Sequence, residues 1–241
     1  AIAPALAMSF AVAGAYRGAY VAAFAAGLIA TGCLLLFRRS GNANQTVAHS
    51  EPAKGLARCF ERRAIRPSVI MLLLGLCAAA PGTFMALFAM ERGMSAEQIS
   101  LYFTINAVAL ALARLFGTKA SRRMGLRLTA LVTMAMNACS FVLVAAAHSA
   151  WLLWVAATLY GLGYGTIYPL LNAVAIASAP PHRRGMAMAT FLTAMDIGVG
   201  FGASLWGLLV DRAGMDALFP VCAVVSLFTY LAYLLLFRNR A

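Results

Sequence analysis

Long apolar runs alternate with short polar gaps along the chain. Uncharged stretches cover residues 18–37, 67–90, 128–182, 185–195 and 217–237. A helix needs about 20 apolar residues to cross the hydrocarbon core of a bilayer, and the stretch 128–182 is long enough for two. The pattern therefore predicts a chain that crosses a membrane several times.

The runs divide into eight predicted helical segments, the first of them partial. In lipid the backbone must satisfy its own hydrogen bonds, and the chain shows no short alternating strands, so each segment is predicted to be an α-helix. We expect an all-α integral membrane protein with seven to eight transmembrane helices. The segments are Ala1 to Ala13, Gly18 to Phe37, Pro67 to Met90, Gln98 to Phe116, Leu128 to Ala147, Trp151 to Ser178, Gly185 to Val210 and Ala217 to Phe237.

The basic residues lie almost entirely in every second gap. Of the 19 Lys and Arg residues, only Arg17, Arg92 and Arg212 lie in the opposite gaps. By the positive-inside rule the side rich in Lys and Arg is cytoplasmic. We therefore predict a protein of the inner (cytoplasmic) membrane, the bacterial plasma membrane, with its C-terminus in the cytoplasm.

The composition agrees with a membrane protein. Hydrophobic residues make up 63% of the 241 residues and charged residues 11%, whereas soluble domains carry about 25% charged residues. The net charge of +12 is spread over several loops, which favours membrane lipids over nucleic acid as neighbours. The five cysteines show no metal-binding spacing, and we expect neither a metal nor a cofactor.

The basic stretch 38–66 separates two groups of helices. We interpret residues 1–37 as the remnant of an N-terminal helical half, 38–66 as a basic cytoplasmic central loop, and 67–241 as a six-helix C-terminal half. The later part of the loop is either an amphipathic helix on the membrane surface or a linker. Because the chain opens inside an apolar run without an initiator Met, we expect it to be the later part of a longer protein.

Two pairs of glycines have the spacing of close helix contacts. Gly161 and Gly165 form a small-xxx-small pair in one segment, and Gly198 and Gly202 form another. Small residues at this spacing let helix backbones approach closely in membranes. We predict helix packing at both pairs, with sliding or bending during a conformational cycle as the alternative role.

Asp196 is the only acidic residue inside an apolar run. A carboxylate at membrane depth is costly, so it is expected to face a cavity or a partner. It is the first candidate for proton coupling or cation binding. The alternative is a packing role, with a hydrogen bond to Thr193 or to the neighbouring backbone.

Tyr160, Tyr164, Tyr168 and Asn172 recur every four residues and share one face of their predicted helix. If this face lines a cavity, it suits a partly aromatic substrate through stacking and hydrogen bonds. Asn106, in the middle of another segment, is a candidate of the same kind. The alternative for the tyrosines is core packing with satisfied hydroxyl groups.

Pro81 and Gly82 interrupt the first segment after the basic loop. Proline frees a backbone carbonyl and permits a kink, and broken helices often line transport sites. Phe84 lies beside the predicted kink and is therefore included among the candidate substrate-binding residues.

Three sequence passages carry a family resemblance. The first, RLFGTKASRRMGLR, is similar to a loop motif of the form RxxxGxxxDRxGRR. The fitting residues are Arg114, Arg123, Gly125 and Arg127, whereas Thr118 stands where the motif has Gly and Arg122 where it has Asp. The second begins at Pro180 and contains the Arg184–Gly185 pair followed by a run of glycines. A fainter match near Pro4 is similar to the GPxxGG motif of proton-coupled exporters.

With these passages the chain resembles the major facilitator superfamily of secondary transporters, from the end of the fifth helix through the twelfth. The resemblance implies secondary active transport of a small molecule by alternating access between two pseudo-symmetric halves, with proton-coupled efflux as an antiporter. It also implies a monomer when full length. Arg114, Arg122, Arg123, Gly125 and Arg184 are then candidate gating-loop residues, the alternative being topology and lipid contact alone.

Other functions stay open. The departure at Arg122 leaves room for an inactive or scaffold-type membrane protein of the same fold. An integral-membrane enzyme is disfavoured because the chain contains no HExxH motif, acid pair, Ser-His-Asp-like group or nucleotide-binding loop. We therefore expect no enzymatic activity.

Overall fold

The computed structural model describes Ala25 and residues 60–237. Within residues 60–237 the chain forms α-helices joined by short turns, and no strand occurs there. Three short 3-10 turns lie at Arg62–Ala64, Pro181–Arg183 and Met215–Ala217. The α-helices are α1 (Ile65–Thr83), α2 (Met85–Glu91), α3 (Ala96–Met124), α4 (Leu126–Ala145), α5 (Ala150–Ser178), α6 (Arg184–Ala213) and α7 (Leu218–Leu236).

Six helical stretches in this part of the chain are long and apolar enough to cross a membrane. This result confirms the predicted all-α membrane fold and the six segments after the basic loop. The predicted segments Ala1 to Ala13 and Gly18 to Phe37 lie outside the described residues except for Ala25, as does the loop up to residue 59. The six stretches are Arg62–Thr83, Ala96–Met124, Leu126–Ala145, Ala150–Ser178, Pro181–Ala213 and Met215–Leu236.

The predicted interruption of the first segment is present, and it lies a few residues after the proline in the sequence. Pro81 lies inside α1, and the helix ends at Thr83. Phe84 forms a turn, and α2 begins at Met85. The Phe84 N–H still donates to the Ala80 carbonyl at 2.9 Å, so the chain bends without leaving this backbone group unpaired.

Helices α1 and α6 form the most extensive pair, and their contact is backbone against backbone at glycines. A Cβ atom on Gly198 would collide with the Leu72 carbonyl oxygen, and one on Gly202 would lie 2.8 Å from the Leu76 carbonyl oxygen. From the other side, a Cβ on Gly75 would lie 2.8 Å from the Met195 carbonyl oxygen. The predicted close packing at Gly198 and Gly202 is confirmed.

Helices α3 and α5 form the second extensive pair, built in the same way. A Cβ atom on Gly161 would lie 2.7 Å from the Ala109 Cβ, and one on Gly165 would lie 2.8 Å from the Ala113 Cβ. The predicted packing role of this glycine pair is also confirmed. Helix α4 packs on α5 and on α7.

On the side of the bundle that is poor in basic residues, Arg92 contacts several segments of the chain. The Arg92 guanidinium donates to the Ala145 and Ala147 carbonyl oxygens at 3.2 and 2.5 Å and pairs with Asp216 at 2.9 Å. It also lies 4.3 Å above the centre of the Phe88 ring. Arg92 therefore joins α2, the end of α4 and the turn between α6 and α7.

We predict that Gly198→Ala destabilises the bundle by about 1–3 kcal/mol, because the added methyl group has no room against the α1 backbone. Gly200 is the matched control on the same helix, since a Cβ there meets nothing within 4 Å. Gly200→Ala is expected to be neutral or stabilising by up to about 1 kcal/mol through helix propensity. Thermal unfolding in detergent micelles measures both, and equal effects would contradict the packing argument.

Candidate functional site

Tyr160, Tyr164 and Tyr168 of α5 stack on one another and form what we call the tyrosine ladder. The ring centroids of Tyr160 and Tyr164 are 5.6 Å apart and the rings are nearly parallel, at 10°. Those of Tyr164 and Tyr168 are 6.4 Å apart, at 26°. Tyr160 is buried, whereas Tyr164 and Tyr168 are half-buried. The face predicted from the four-residue spacing is therefore a continuous aromatic surface.

Two phenylalanines extend the ladder onto neighbouring helices. Phe141 of α4 meets the Tyr160 ring edge-on at a centroid distance of 5.8 Å. Phe191 of α6 lies 5.9 Å from the Tyr168 ring. Neither phenylalanine was expected, because both lie in apolar runs where no spacing distinguishes them from their neighbours.

Asn106 and Asn172 each carry a side-chain oxygen that is buried and accepts no hydrogen bond from the described residues. Asn106 lies on α3 against Gly161, since a Cβ on that glycine would be 3.0 Å from the Asn106 Oδ1. It therefore lies opposite the residue that follows Tyr160, the residue at one end of the tyrosine ladder. Asn172 lies one turn beyond Tyr168 at the other end. A buried acceptor without a partner is costly, so both oxygens lack the donor that would offset their burial.

Asp196 is exposed on the surface of α6. Its carboxylate makes no hydrogen bond or ion pair with another described residue, so the hydrogen bond considered for a packing role is not formed there. Ile197 and Phe201, which are 55% and 65% exposed, are its large apolar neighbours. Phe191, which contacts the Tyr168 ring, lies five residues before Asp196 on the same helix.

Phe84 is half-buried at the break between α1 and α2. Its Cζ atom would lie 3.8 Å from a Cβ on Gly207 of α6. The ring thus lies towards the Arg92 end of the α1–α6 pair. The structure does not place it in contact with the tyrosine ladder.

The candidate gating residues surround the turn from α3 to α4 and the start of α6. Arg122 and Arg123 are exposed in the last turn of α3, and Arg184 is exposed at the start of α6. In residues 60–237 none of these three pairs with an acidic side chain. Gly125 has φ of +81°, a conformation that favours glycine, and it lets α4 begin directly after α3.

Arg114 differs from the other gating candidates in its position on α3. It follows Ala113, whose Cβ would lie 2.8 Å from a Cβ on Gly165. A residue selected from the loop motif therefore lies on the part of α3 that packs against α5 beside Tyr164. The sequence motif gave no indication of this proximity.

An ion pair at the same end of the bundle was not anticipated. Glu61 is only 4% exposed, and its Oε2 atom lies 2.9 Å from the Arg183 Nε. The Glu61 N–H donates to the Thr190 hydroxyl of α6 at 2.9 Å. Oε2 accepts no aligned hydrogen bond from the described residues, so its attraction to Arg183 is that of opposite charges. These contacts hold the chain before α1 against α6.

Within residues 60–237, no three His, Cys, Asp or Glu side chains are grouped so that they could hold a metal ion. The features that the structure brings together are instead aromatic rings and unfilled amide acceptors, with a separate unpaired carboxylate. Such a surface is suited to binding an organic molecule by stacking and hydrogen bonding.

Comparison with known proteins places these features in a family context. A model of the Major Facilitator Superfamily matches residues 68–241. A relative named "Uncharacterized MFS-type transporter YhhS" from Salmonella typhimurium is 28% identical over 166 residues, which are 67% of this chain and 40% of the relative. The protein of the same name from Escherichia coli K12 is 26% identical over 166 residues, which are again 67% of this chain and 40% of the relative. The chain thus spans about 40% of the length of these relatives.

We predict that Asn172→Leu leaves stability unchanged or raises it by about 1 kcal/mol, because the substitution removes a buried oxygen that has no donor. Asn137 of α4 is the matched control. Its Nδ2 donates to the Thr133 carbonyl at 2.9 Å, and the side chain lies tightly against Gly163.

Asn137→Leu is expected to cost about 1–3 kcal/mol, because the bulkier methyl groups overpack this contact. Thermal unfolding of the two variants in the same detergent provides the comparison. A larger loss for Asn172→Leu than for Asn137→Leu would show that the Asn172 oxygen has a partner.

Proposed function

The chain belongs to the Major Facilitator Superfamily, and on this premise we propose that the complete protein carries out secondary active transport of a small molecule by alternating access. We further propose proton-coupled efflux, as an antiporter of the inner membrane with its C-terminus in the cytoplasm. In this scheme the six-helix bundle moves as one body, and a central site opens first to one side of the membrane and then to the other.

The observation that carries the coupling proposal is the exposed, unpaired carboxylate of Asp196 on a membrane-spanning helix. A charged side chain at this depth is unfavourable in lipid and marks an ion or proton pathway by default. Because no cation among residues 60–237 pairs with it, we propose that the carboxylate takes up a proton from one side and releases it to the other. The proton gradient then supplies the free energy that drives the substrate out.

The tyrosine ladder forms the proposed substrate-binding wall. Three stacked rings present an extended aromatic surface, and stacking of a ligand ring on such a surface contributes about 0.5–1.5 kcal/mol beyond the burial of area. The oxygens of Asn106 and Asn172 are buried in this structure, and we propose that they accept hydrogen bonds from a ligand once the bundle moves. The chemistry favours a partly aromatic substrate with donor groups. Phe84, at the α1–α2 break, is proposed to contact substrate only as the bundle moves.

The proposed gate uses the arginines at the start of α6 and around Gly125. Arg122, Arg123 and Arg184 are exposed, and cations at such positions bind helix C-termini or acids of an opposing helical half. Arg114 follows Ala113, which packs against Gly165 of α5, so the proposed gate on α3 lies close to the proposed substrate wall on α5. Movement of the gate is therefore expected to shift the tyrosine ladder.

One observation favours a second candidate function. Arg122 stands where the family motif has an acid, and a loop with two adjacent arginines lacks the negative partner needed for an acid-based latch within this half. A non-transporting membrane protein of the same fold, acting as a scaffold, would need no such latch. The transport experiment that follows distinguishes the two candidates.

We predict that Asp196→Asn abolishes proton-driven transport while leaving the fold intact, because the amide cannot release a proton and the native carboxylate has no partner to lose. The complete polypeptide would be reconstituted in proteoliposomes and screened with pooled aromatic dyes, drugs and sugars under an imposed pH gradient. The gradient-driven rate is expected to fall at least tenfold, whereas exchange without a gradient persists.

Asp211→Asn is the control, since Asp211 is exposed at the end of the same helix and is expected to keep its coupling. Equal gradient-driven rates in Asp196→Asn and the unmodified protein would remove Asp196 from the coupling path. Movement of no compound by the unmodified protein would favour the scaffold function.

We predict that Tyr164→Leu weakens transport of an aromatic substrate about tenfold, whereas Tyr164→Phe retains most of it, because stacking depends on the ring rather than the hydroxyl. Tyr230→Leu is the matched control, since Tyr230 is also half-buried but lies on α7 outside the ladder. Apparent affinities would be measured in the same proteoliposomes. An equal loss in Tyr164→Leu and Tyr230→Leu would argue against the ladder as the binding wall.

A further inference from the structure

A pocket of about 730 Å³ opens at the end of the bundle where α1 begins and α5 ends. Its lining includes the last residues of α5, beyond the end of the tyrosine ladder, and it plays no part in the coupling proposed above. Basic side chains dominate its lining. The lining residues are Glu61, Arg62, Arg63, Arg66, Ala177 and Ser178.

The charge of this pocket is strongly positive. Its only acidic lining residue, Glu61, is already paired with Arg183 at 2.9 Å. Arg62, Arg63 and Arg66 are exposed, and none pairs with an acidic side chain in the part of the chain that the structure describes. Three guanidinium groups therefore face one concave volume without neutralisation, a combination that concentrates anions.

The backbone that carries these arginines is fixed on both sides. The Arg63 N–H donates to the Glu61 Oε1 at 3.3 Å, and the Ser178 hydroxyl donates to the Arg63 carbonyl at 3.2 Å. Glu61 is itself held to Thr190 of α6. The arginines thus project from a turn anchored to α5 and α6, so little ordering is needed when a ligand binds.

We propose that this pocket binds the phosphate group of an anionic ligand through Arg62, Arg63 and Arg66. Guanidinium groups bind phosphate oxygens with paired, charge-assisted hydrogen bonds, which a single lysine cannot match. The phosphate belongs either to a lipid headgroup or to a soluble phosphate compound. The site needs no transport activity, so it is independent of the function proposed above.

Exposed apolar residues next to the pocket would contact a lipid but not a soluble phosphate compound. Ile65 and Val69 are 44% and 42% exposed and continue along α1 from the arginines towards the membrane-spanning part. A lipid would place its headgroup at the arginines and its chains along these residues. A soluble phosphate would use the arginines alone.

The test is a binding measurement with two probes and two matched variants. In one arm, phosphatidylglycerol is titrated into phosphatidylcholine nanodiscs that contain the protein, and bound lipid is counted by native mass spectrometry. In the other arm, inorganic phosphate is titrated against the detergent-solubilised protein, and binding is followed by the rise in thermal stability. The variants are Arg62→Gln/Arg66→Gln and the control Arg122→Gln/Arg123→Gln, which removes the same charge at the same end of the bundle.

We expect saturable binding of at least one probe that weakens about tenfold or more in Arg62→Gln/Arg66→Gln, because two charge-assisted contacts are lost. The control pair is expected to change binding less than threefold. Arg62→Lys/Arg66→Lys should restore only part of the affinity. Lipid binding alone assigns the phosphate to a headgroup, and phosphate binding alone assigns it to a soluble compound. Equal weakening in the two double variants, or saturable binding of neither probe, would overturn the proposal.

Discussion

Contact between helix backbones at glycine positions holds the six-helix bundle together. In α1 and α6 the Leu72 carbonyl lies so close to Gly198 that no side chain fits between the two helices. In lipid, where burial of apolar surface does not drive helix association, such contact gives dispersion and dipole interactions over the whole interface. Trp206 strengthens the same pair, since its buried indole N–H donates to the Leu76 carbonyl at 2.7 Å.

The ion pairs between segments of the described chain lie at the two ends of the bundle. At one end the Arg92 guanidinium donates to two carbonyl groups and pairs with a carboxylate. At the other end Glu61 pairs with Arg183, and its N–H donates to Thr190. Each anchor connects segments that are far apart in the sequence, as the separation of 129 residues between Glu61 and Thr190 illustrates. The bundle is therefore fixed in its middle by glycines and at its ends by charge.

Patterns that are local in sequence were predictable, and contacts between distant segments were not. The six membrane-spanning stretches, both glycine pairs and the face shared by Tyr160, Tyr164 and Tyr168 follow from hydropathy and helical spacing alone. The break in the first segment was predicted from Pro81, but the spacing of the residues did not predict that the first helix continues to Thr83. Glu61, Phe141 and Phe191 were missed because their importance arises only from partners on other helices.

The exposed surface of the bundle carries a further physical constraint. Helix α6 packs closely on α1 and helix α3 packs closely on α5, yet the apolar stretches of α3 and α6 are the least buried of the six described. Each carries an exposed charged residue on a membrane-spanning helix, Arg114 on α3 and Asp196 on α6. Hydrocarbon is a poor environment for either charge, so a lipid-facing position would destabilise both helices. The two faces are therefore expected to meet water or protein, which is the environment that a proton-carrying carboxylate and a mobile gate both require.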